Sequence, residues 1–294
     1  MVILMGWKTC YLNARFVDCA RTSVGTHARA WLFSFMLAVA LVVTSMVIPS
    51  PVRGEDDSPF TVPDGFSVQK VADDAMVHDC FCMTLDGLGR PIVSGPGYIR
   101  TLVDDDADGK YDRSLLWSSH PKQGAQGLWS EGRKLYYVSE GGLWLSEDSD
   151  GDLVADPNPK RVLELPTGDE HFAHAIRRGP DGYWYLIAGN FARDIAKLQN
   201  DPISPVSRAR SGTIWRISPD FSKRGVWAHG MRNCYDFDFM PDGQIVTFDS
   251  DCEREATLPW YRPTRVMVLG PGSDAGWCGQ SWKDEDIALQ CPLC

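Results

Sequence analysis

The sequence predicts an all-β protein, a β-propeller of four-stranded blades. First, four segments repeat one plan, in which a strand, a glycine turn and a second strand follow each other. Second, further apolar strands follow each repeat in the same order. Third, the 294 residues include 27 Gly, 19 Pro and 11 Trp. Frequent turn residues between short, aromatic-rich strands are typical of propellers.

The four repeats contain the predicted inner strands of the blades. They lie at 80–95, 127–141, 175–189 and 235–251, and Gly89, Gly132, Gly182 and Gly243 mark their turns. These glycines are 43, 50 and 61 residues apart, so insertions lengthen the later blades. The insertion at 190–211 contains the one clear helix candidate. A β-sandwich would have similar hairpins, but third and fourth strands that recur in register favour the propeller.

The blades occupy about 78–121, 125–168, 171–230 and 235–280, within a predicted propeller domain at 55–280. A lone strand, Phe66–Val71, precedes them, and such a strand usually completes the last blade of a ring. The outer strand of the fourth blade is not evident, and residues 281–294 read as an irregular tail. Because six or more blades are commoner for this blade style, we expect a propeller that stops early.

The N-terminal 54 residues are predicted to be a signal peptide or a membrane anchor. Residues 30–48 carry no charge, while Lys8, Arg15, Arg21 and Arg29 precede them. A basic flank before an apolar run is typical of an export signal, and this run is also just long enough to span a bilayer as a helix. Both readings place residues 55–294 outside the cytoplasm, in the periplasm or its equivalent, with membrane contact only through this segment.

The charge balance limits the possible partners. The chain has 29 Lys and Arg against 39 Asp and Glu, a formal net charge of −10. An acidic chain disfavours nucleic acid or an anionic membrane surface as the main partner. The oligomeric state has no signal in the sequence.

Two acidic loops repeat 44 residues apart, at the same point of the first two blades. Alternating carboxylates around a turn are oxygen ligands of the kind that Ca²⁺ prefers. The alternative is a solvated acidic turn without an ion, and in either case the position between outer strands indicates a structural role. The first loop has Gly109 at its turn, where the second has Leu153. The candidate ligands are Asp104, Asp106, Asp108, Asp112, Asp148, Asp150, Asp152 and Asp156.

Catalytic-type residues collect at the entrances to the third and fourth blades. Glu170, His171 and His174 precede or begin the inner strand of blade three, and Arg232 and Asn233 occupy the equivalent entrance to blade four. A histidine beside a carboxylate can act as a general base, and arginine can bind an anionic cofactor. The alternative is that these residues only cap blades and hydrogen-bond neighbouring loops.

Three runs resemble a known group of enzymes. HFAHAIRRGPDGYWYLIAGN (171–190), HGMRNCYDFDFMPDG (229–243) and GPGSDAGW (270–277) are similar to blades of the soluble quinoprotein glucose/sorbosone dehydrogenases. Residues 60–277 as a whole resemble the membrane-bound dehydrogenases of planctomycete-type bacteria. The resemblance implies a six-bladed propeller that oxidises a sugar or alcohol hydroxyl, or a lactol, with hydride transfer to pyrroloquinoline quinone (PQQ).

The same resemblance implies roles for individual residues. It makes His171 the base and Glu170 the acid that orients it, and it places Arg232 and Asn233 against the quinone. His174 and Cys234 depart from the pattern of the family, which has small residues there. The competing hypothesis is an exported propeller without catalytic activity that binds carbohydrate or protein.

The fourth repeat also predicts a close pair of cysteines. Counted outward from the turn at Asp242 and Gly243, Cys234 and Cys252 lie nearly opposite each other at the open end of a hairpin. An oxidising compartment would permit a disulfide there. A bulge that separates them, or pairing of either one with Cys278, is the alternative.

Overall fold

The structure is a computed structural model that describes residues 2–5, 61–168, 170–250, 257, 261 and 263–277. The chain divides into two compact units, residues 3–69 and residues 70–294 with 1–2. The domain boundaries expected after residues 54 and 280 lie outside the described residues. The described strands are β1 (Val2–Met5), β2 (Val68–Ala72), β3 (Cys82–Leu85), β4 (Pro91–Gly95), β5 (Tyr98–Val103), β6 (Arg113–Ser118), β7 (Gly127–Glu131), β8 (Lys134–Ser139), β9 (Gly142–Glu147), β10 (Lys160–Glu164), β11 (Ala173–Arg178), β12 (Trp184–Ala188), β13 (Gly212–Ile217), β14 (Arg224–Met231), β15 (Phe237–Phe239), β16 (Ile245–Asp249) and β17 (Arg265–Leu269).

Strands β3 to β17 form four antiparallel sheets in which each strand pairs with the next in sequence. Blade one is β3–β6, blade two is β7–β10 and blade three is β11–β14. Blade four consists of β15–β17 within the described residues. The inner strand β7 contacts both β3 and β11. This arrangement confirms the predicted all-β propeller with four blades.

Blade two shows why the strands are so apolar. Leu135 and Tyr137 of β8 pack in one cluster with Ile99 and Trp117 of blade one. The alternate residues of β8, which include Tyr136, pack in a second cluster with side chains of blade three. Because successive side chains of a strand point to opposite faces, a strand between two neighbouring blades needs apolar residues at every position.

Blade three repeats this pattern on both of its faces. Trp184 and Leu186 of β12 belong to the cluster shared with blade two. Tyr185 and Ile187 belong to the cluster shared with Phe237 of blade four. Three apolar layers between neighbouring blades therefore hold the inner strands around one axis.

The far face of blade four is open in this structure. Phe248, Val266 and Val268 lie on it and are exposed, and the pairs Phe248–Val266 and Val246–Val268 make them neighbours across β16 and β17. No described blade packs against this face. The fourth blade is consequently buried on one side only.

The lone strand before the first blade does not complete the fourth. β2 is absent from the sheet of β15–β17. The chain around it follows blade one instead, since the Tyr111 N–H donates to the Val71 carbonyl at 3.3 Å and Ser114 Oγ donates to the Met76 carbonyl at 2.9 Å. These bonds tie the segment after β2 to the outer strand β6.

Helical structure is minor in the described part of the chain. The insertion in blade three contains a short 3₁₀ helix, Arg193–Leu198, within the segment 190–211 where the sequence predicts a helix. Among the described residues, no helix has the length and apolar character needed to cross a membrane. The predicted signal or anchor at 30–48 and the tail at 281–294 lie outside the described residues.

Candidate functional site

A cavity of about 480 Å³ opens where the inner strands begin, near the axis of the propeller. The connections into all four blades contribute to its wall. The wall combines amides, hydroxyls, one carboxylate and two aromatic rings, which is the mixture of apolar surface and a few polar groups found in small-molecule sites. The lining residues are Phe81, Gln123, Gly124, Gln126, Ser139, Thr167, Gly168, Glu170, Asn233 and Tyr235.

Tyr235 brings blade four to blade one at this cavity. Its hydroxyl lies 2.8 Å from the carbonyl oxygen of Phe81 and 3.2 Å from Oε1 of Gln126. Burial raises the pKa of Tyr235, so the hydroxyl stays protonated and donates. Its ring also packs against His174, with 4.9 Å between centroids. One side chain thus joins the entrances of all four blades.

Glu170 and His171 lie side by side but in different environments. The Glu170 side chain is 81% exposed and lines the cavity. His171 is only 4% exposed and is not among the residues that line it. The distance from Glu170 Oε1 to His171 Nε2 is 3.8 Å, which is too long for a hydrogen bond but close enough for a charge interaction.

Asn190 holds the His171 ring through a hydrogen bond. His171 Nδ1 lies 2.5 Å from Asn190 Oδ1, and because this oxygen only accepts, Nδ1 carries the proton and Nε2 keeps its lone pair. The ring also stacks on Phe191, with 4.4 Å between centroids. The sequence did not single out Asn190, and the orienting role that the resemblance implies for Glu170 stays a prediction.

The hairpin register could have revealed Asn190. The Gly189 N–H donates to the carbonyl of Phe172, and the Phe191 N–H donates to the carbonyl of His171. The β11–β12 hairpin thus continues beyond its strand ends and places Asn190 opposite His171. A Cβ added to Gly189 would lie 2.5 Å from Asn233 Oδ1 and 2.6 Å from the His171 carbonyl oxygen. Only glycine permits this approach.

A β-bulge turns His174 toward blade four. The register of β11 against β12 shifts between Ala173 and Ile176. Both of these residues pack toward blade two, and Ala175 packs toward blade four. The extra residue of the bulge lets His174 reach the entrance of blade four, where Nε2 lies 2.9 Å from Asn233 Oδ1. Re-aiming a side chain beside a site is a common use of a bulge.

The His174 ring is buried and neutral. Burial lowers its pKa, and the hydrogen bond to Asn233 opposes this shift only in part. Nε2 donates to Asn233, and among the described residues no partner is found for the buried Nδ1.

Both ends of the Asn233 amide are used within the protein. Oδ1 accepts from His174, and Nδ2 donates to the carbonyl of Glu170 at 3.0 Å. The backbone N–H groups of Arg232 and Asn233 donate to the carboxylate of Asp249, which is buried. Asp249 therefore fixes the loop into blade four, and Asn233 ties it to the loop into blade three.

The Arg232 guanidinium points into a different neighbourhood. Its Nη1 donates to Ser250 Oγ at 2.8 Å, and its carbon lies 5.9 Å from the centre of the Trp277 ring. Arg232 is not among the residues that line the cavity. Its predicted contact with a bound quinone is therefore not supported by the arrangement seen here.

The glycine-rich run 270–277 lies along the end of β14. The His229 N–H donates to the Ser273 carbonyl, and the Trp277 N–H donates to the Gly230 carbonyl. Gly230 has a φ of +81°, and a Cβ there would collide with a carboxylate oxygen of Asp274. This close approach carries Trp277 to the position under Arg232.

The two acidic loops lie at the rim, between the third and fourth strands of blades one and two. Carboxylate oxygens of three residues in each loop come within 4.8 Å of one another, Asp104, Asp106 and Asp108 in one and Asp148, Asp150 and Asp152 in the other. The remaining predicted ligands cap their loops instead, since Asp112 accepts from the Asp105 N–H and Asp156 accepts from Ser149.

The structure thus brings Glu170, His171 and Asn233 together and leaves Arg232 apart. Asp169, Asp251 and Glu253, which the sequence also places near these entrances, lie outside the described residues. The predicted Cys234–Cys252 pair stays a prediction, because Cys252 also lies outside the described residues. Cys234 itself is a buried free thiol whose pKa burial raises.

The family of the chain follows from a comparison of sequences. The profile of a family described as "Domain of unknown function (DUF7133)" matches residues 54–258. This span exceeds half of the chain. The chain belongs to the DUF7133 family. No curated protein matches the DUF7133 chain.

Several solved structures share this fold. The PQQ-bound aldose sugar dehydrogenase of Streptomyces coelicolor is 17% identical, with a TM-score of 0.50 over 68% of the DUF7133 chain and 63% of its own. The iodide structure of a Trichoderma reesei carbohydrate-active enzyme of family AA12 is 14% identical, with a TM-score of 0.55 over 78% and 64%. The calcium structure of that family has 13% identity and a TM-score of 0.51 over 72% and 60%.

One of these neighbours is a sugar dehydrogenase with bound PQQ, and the other two are structures of carbohydrate-active enzymes of family AA12. The DUF7133 chain spans less than two thirds of the length of each. At such identities the likeness shows the fold alone.

Proposed function

We propose that this DUF7133 propeller is an exported sugar or alcohol dehydrogenase and that Glu170 and His171 accept the proton of the substrate hydroxyl in the axial cavity. The position of Glu170 carries the proposal, because its carboxylate lines the cavity and lies 3.8 Å from His171 Nε2. The aldose sugar dehydrogenase and the carbohydrate-active enzymes that share its fold support a sugar substrate. Export rests on the sequence of residues 1–54.

Oxidation of a hydroxyl requires a base for its proton. Asn190 holds His171 with the lone pair of Nε2 on the side of Glu170. Glu170 meets the substrate first, because its side chain is exposed to the cavity and His171 is buried behind it. The carboxylate in turn stabilises a protonated His171 ring. The pair therefore moves the proton from the cavity wall to a buried position.

The described residues do not fit PQQ, the electron acceptor that the resemblance implies. PQQ is a tricarboxylate, and such a group needs cationic or other donor side chains. The lining residues include no arginine or lysine. Arg232 is bonded to Ser250, and the Asn233 amide is used at both ends. The described residues therefore supply only the proton acceptor, and the hydride of the alcohol carbon would pass to a separate two-electron acceptor, such as a quinone or a dye.

The second candidate is a propeller that binds carbohydrate without oxidising it. The absence of cationic side chains among the lining residues favours it, because this wall suits a neutral ligand and not a redox cofactor with several carboxylates. This second function requires the same cavity but involves no chemical step after binding.

Ca²⁺ is proposed as a structural ion of the rim. The three clustered carboxylates of each acidic loop would supply its oxygen ligands. Four negative side chains in nine residues repel one another unless a cation or solvent screens them. The ion would then stabilise the connection between the third and fourth strands, away from the cavity.

One experiment separates the two functions. Binding of neutral aldoses and alcohols to the full chain is measured by calorimetry, and dye-linked oxidation of the same compounds is measured with PQQ and Ca²⁺ added. Binding with oxidation supports the dehydrogenase, and it would show that PQQ binds despite the present donor set. Binding without oxidation supports the second candidate. No binding contradicts both.

If the chain oxidises substrate, the two histidines should differ. His171→Ala should lower kcat by roughly two to four decades, the usual worth of a general base. His174→Ala is the matched control, since His174 is buried as deeply but holds Asn233 instead of facing Glu170. Its effect on kcat should be smaller. Equal and small losses would mean that neither histidine is the base.

A further inference from the structure

Most polar groups of the cavity wall are already bonded within the protein. Ser139 Oγ donates to the Gly124 carbonyl at 2.7 Å, and Thr167 Oγ1 accepts from the Gly141 N–H at 2.6 Å. The Asn233 amide joins His174 to the Glu170 carbonyl. These groups shape the wall, but most of their hydrogen-bonding capacity is already used within the protein.

Three groups remain for a ligand. Across the described residues, no hydrogen-bond partner is found for the Gln123 side-chain amide, for Gln126 Nε2 or for the Glu170 carboxylate. Together they present donors from two amides and acceptors from an amide and a carboxylate. A hydroxyl both donates and accepts, so a compound with several hydroxyls matches this set. A carboxylate only accepts, so it would lack a partner at Glu170.

Glu170 is the one residue with a formal charge among the described residues that line the cavity, and the exposed Lys122 is the chain neighbour of the lining residue Gln123. Glu140 lies just behind the Gln123 side of the wall, where its Oε1 accepts from the backbone of Lys122 and Gln123 and its Oε2 faces His120. The nearest cation at the blade-four entrance, Arg232, is turned toward Ser250.

We propose that the axial cavity selects its ligand by charge, admitting neutral and amino-substituted polyhydroxy compounds and rejecting carboxylated ones, with Glu170 as the residue that decides. This inference rests on the proposed sugar or alcohol site and narrows its substrate class. Phe81 and Tyr235 supply apolar surface for the carbon face of such a ligand. The side-chain amides of Gln123 and Gln126 bind its hydroxyls. The Glu170 carboxylate attracts a cationic ligand and repels an anionic one.

Three matched probes test the selection. Glucose, glucosamine and glucuronate share one ring and differ in charge. Their affinities for the full chain are measured by calorimetry at slightly acidic pH, where the amine is protonated and the carboxylates are ionised. Glucosamine should bind roughly fivefold more tightly than glucose, and glucuronate roughly fivefold more weakly or not at all, as expected for one charge pair close to solvent.

Glu170→Gln should bring the three affinities together, since the amide keeps the shape and an acceptor but removes the charge. Glu164→Gln is the control. It removes one carboxylate from the exposed outer strand β10 and should leave the affinity ratios unchanged. Added salt should shrink the ratios in the wild type, which a purely structural role of Glu170 would not cause.

The outcomes separate this inference from the proposed function. Equal binding of all three probes, or ratios that survive Glu170→Gln, would overturn selection by charge and leave a sugar site. Tighter binding of glucuronate than of glucose would also overturn it and would point to a cation in the cavity. Binding of none of the three would overturn the sugar site and the selection together.

Discussion

The acidic loops of blades one and two share one pattern of hydrogen bonds, although their sequences differ. Asp104 accepts from the N–H groups of the third and fifth residues after it, at 2.7 and 3.0 Å. Asp148 does the same at 2.6 and 3.0 Å. The aspartates two and four residues after the first, Asp106 and Asp108 in one loop and Asp150 and Asp152 in the other, each accept from the N–H two residues further on. The repeat therefore extends from sequence to local geometry.

The glycines of the two loops do not coincide. Two positions in each loop have a positive φ. They are Ala107 at +62° and Gly109 at +88° in the first, and Gly151 at +86° and Leu153 at +68° in the second. Each loop has a glycine at one left-handed position and a side chain at the other. The first aspartate and its hydrogen bonds thus impose the turn, and glycine only reduces the strain.

The first aspartates also differ in burial. Asp148 is 2% exposed, whereas Asp104 is only partly buried. Asp148→Ala should therefore cost the most, about 3 kcal/mol of unfolding free energy, because its buried carboxylate accepts three backbone N–H groups that stabilise the loop. Asp104→Ala should cost about 1 kcal/mol. Urea unfolding of both variants measures the difference, and equal losses would contradict the role of burial.

Calcium would sharpen the comparison. If both loops bind Ca²⁺, a chelator should lower the melting temperature. Free Ca²⁺ at about a hundredfold above Kd would stabilise the folded state by roughly 2.7 kcal/mol through one site. Asp106→Ala should remove the response of the first loop and Asp150→Ala that of the second. Thermal melts with and without chelator decide it. An unchanged wild-type melt would mean that neither loop holds the ion.

The glycine positions can be exchanged between the loops. Ala107→Gly should stabilise the protein by about 0.5–1 kcal/mol, because Ala107 is exposed and already left-handed. Gly151→Ala, at the equivalent position, should destabilise it by about 1 kcal/mol, since the new Cβ would also lie 2.8 Å from the Arg133 guanidinium carbon. Urea midpoints measure both. Changes of the same sign would show that the loops are not equivalent.

The smallest expected effect lies in the second residue of each loop. Asp105 accepts two hydrogen bonds from Arg113, where the second loop has Ser149. The Arg113 guanidinium lowers the pKa of Asp105 through these bonds and its charge. Arg113→Ala should return that pKa to the usual range, as measured by NMR titration of the carboxyl group.

The sign of the pH dependence follows from this shift. A lowered pKa in the folded state contributes stability above the ordinary carboxyl pKa, and that contribution is lost as the pH falls through the folded value. The wild type should therefore exceed Arg113→Ala in stability at neutral pH and lose this margin in acid. A margin that grew in acid would contradict the ion pair.

The sequence predicted the strands well because the signals that set them are local. Apolar runs such as those of β8 and β12, with glycine turns between them, recur in every blade and allow few alternatives. Blade two and blade three need apolar residues on both strand faces, and the sequence has them. Equivalent blade entrances also predicted that Glu170, His171 and Asn233 would be neighbours, since inner strands of a propeller converge on its axis.

Two features of the site were decided only by tertiary structure. A bulge sends His174 to Asn233, and the run 270–277 holds Trp277 under Arg232. Both depend on contacts between segments far apart in the chain. Residue type showed that these side chains could do acid–base or anion chemistry. Which of them faces the cavity depends on packing and register, and no local pattern encodes those, because one shifted residue redirects a side chain to another blade.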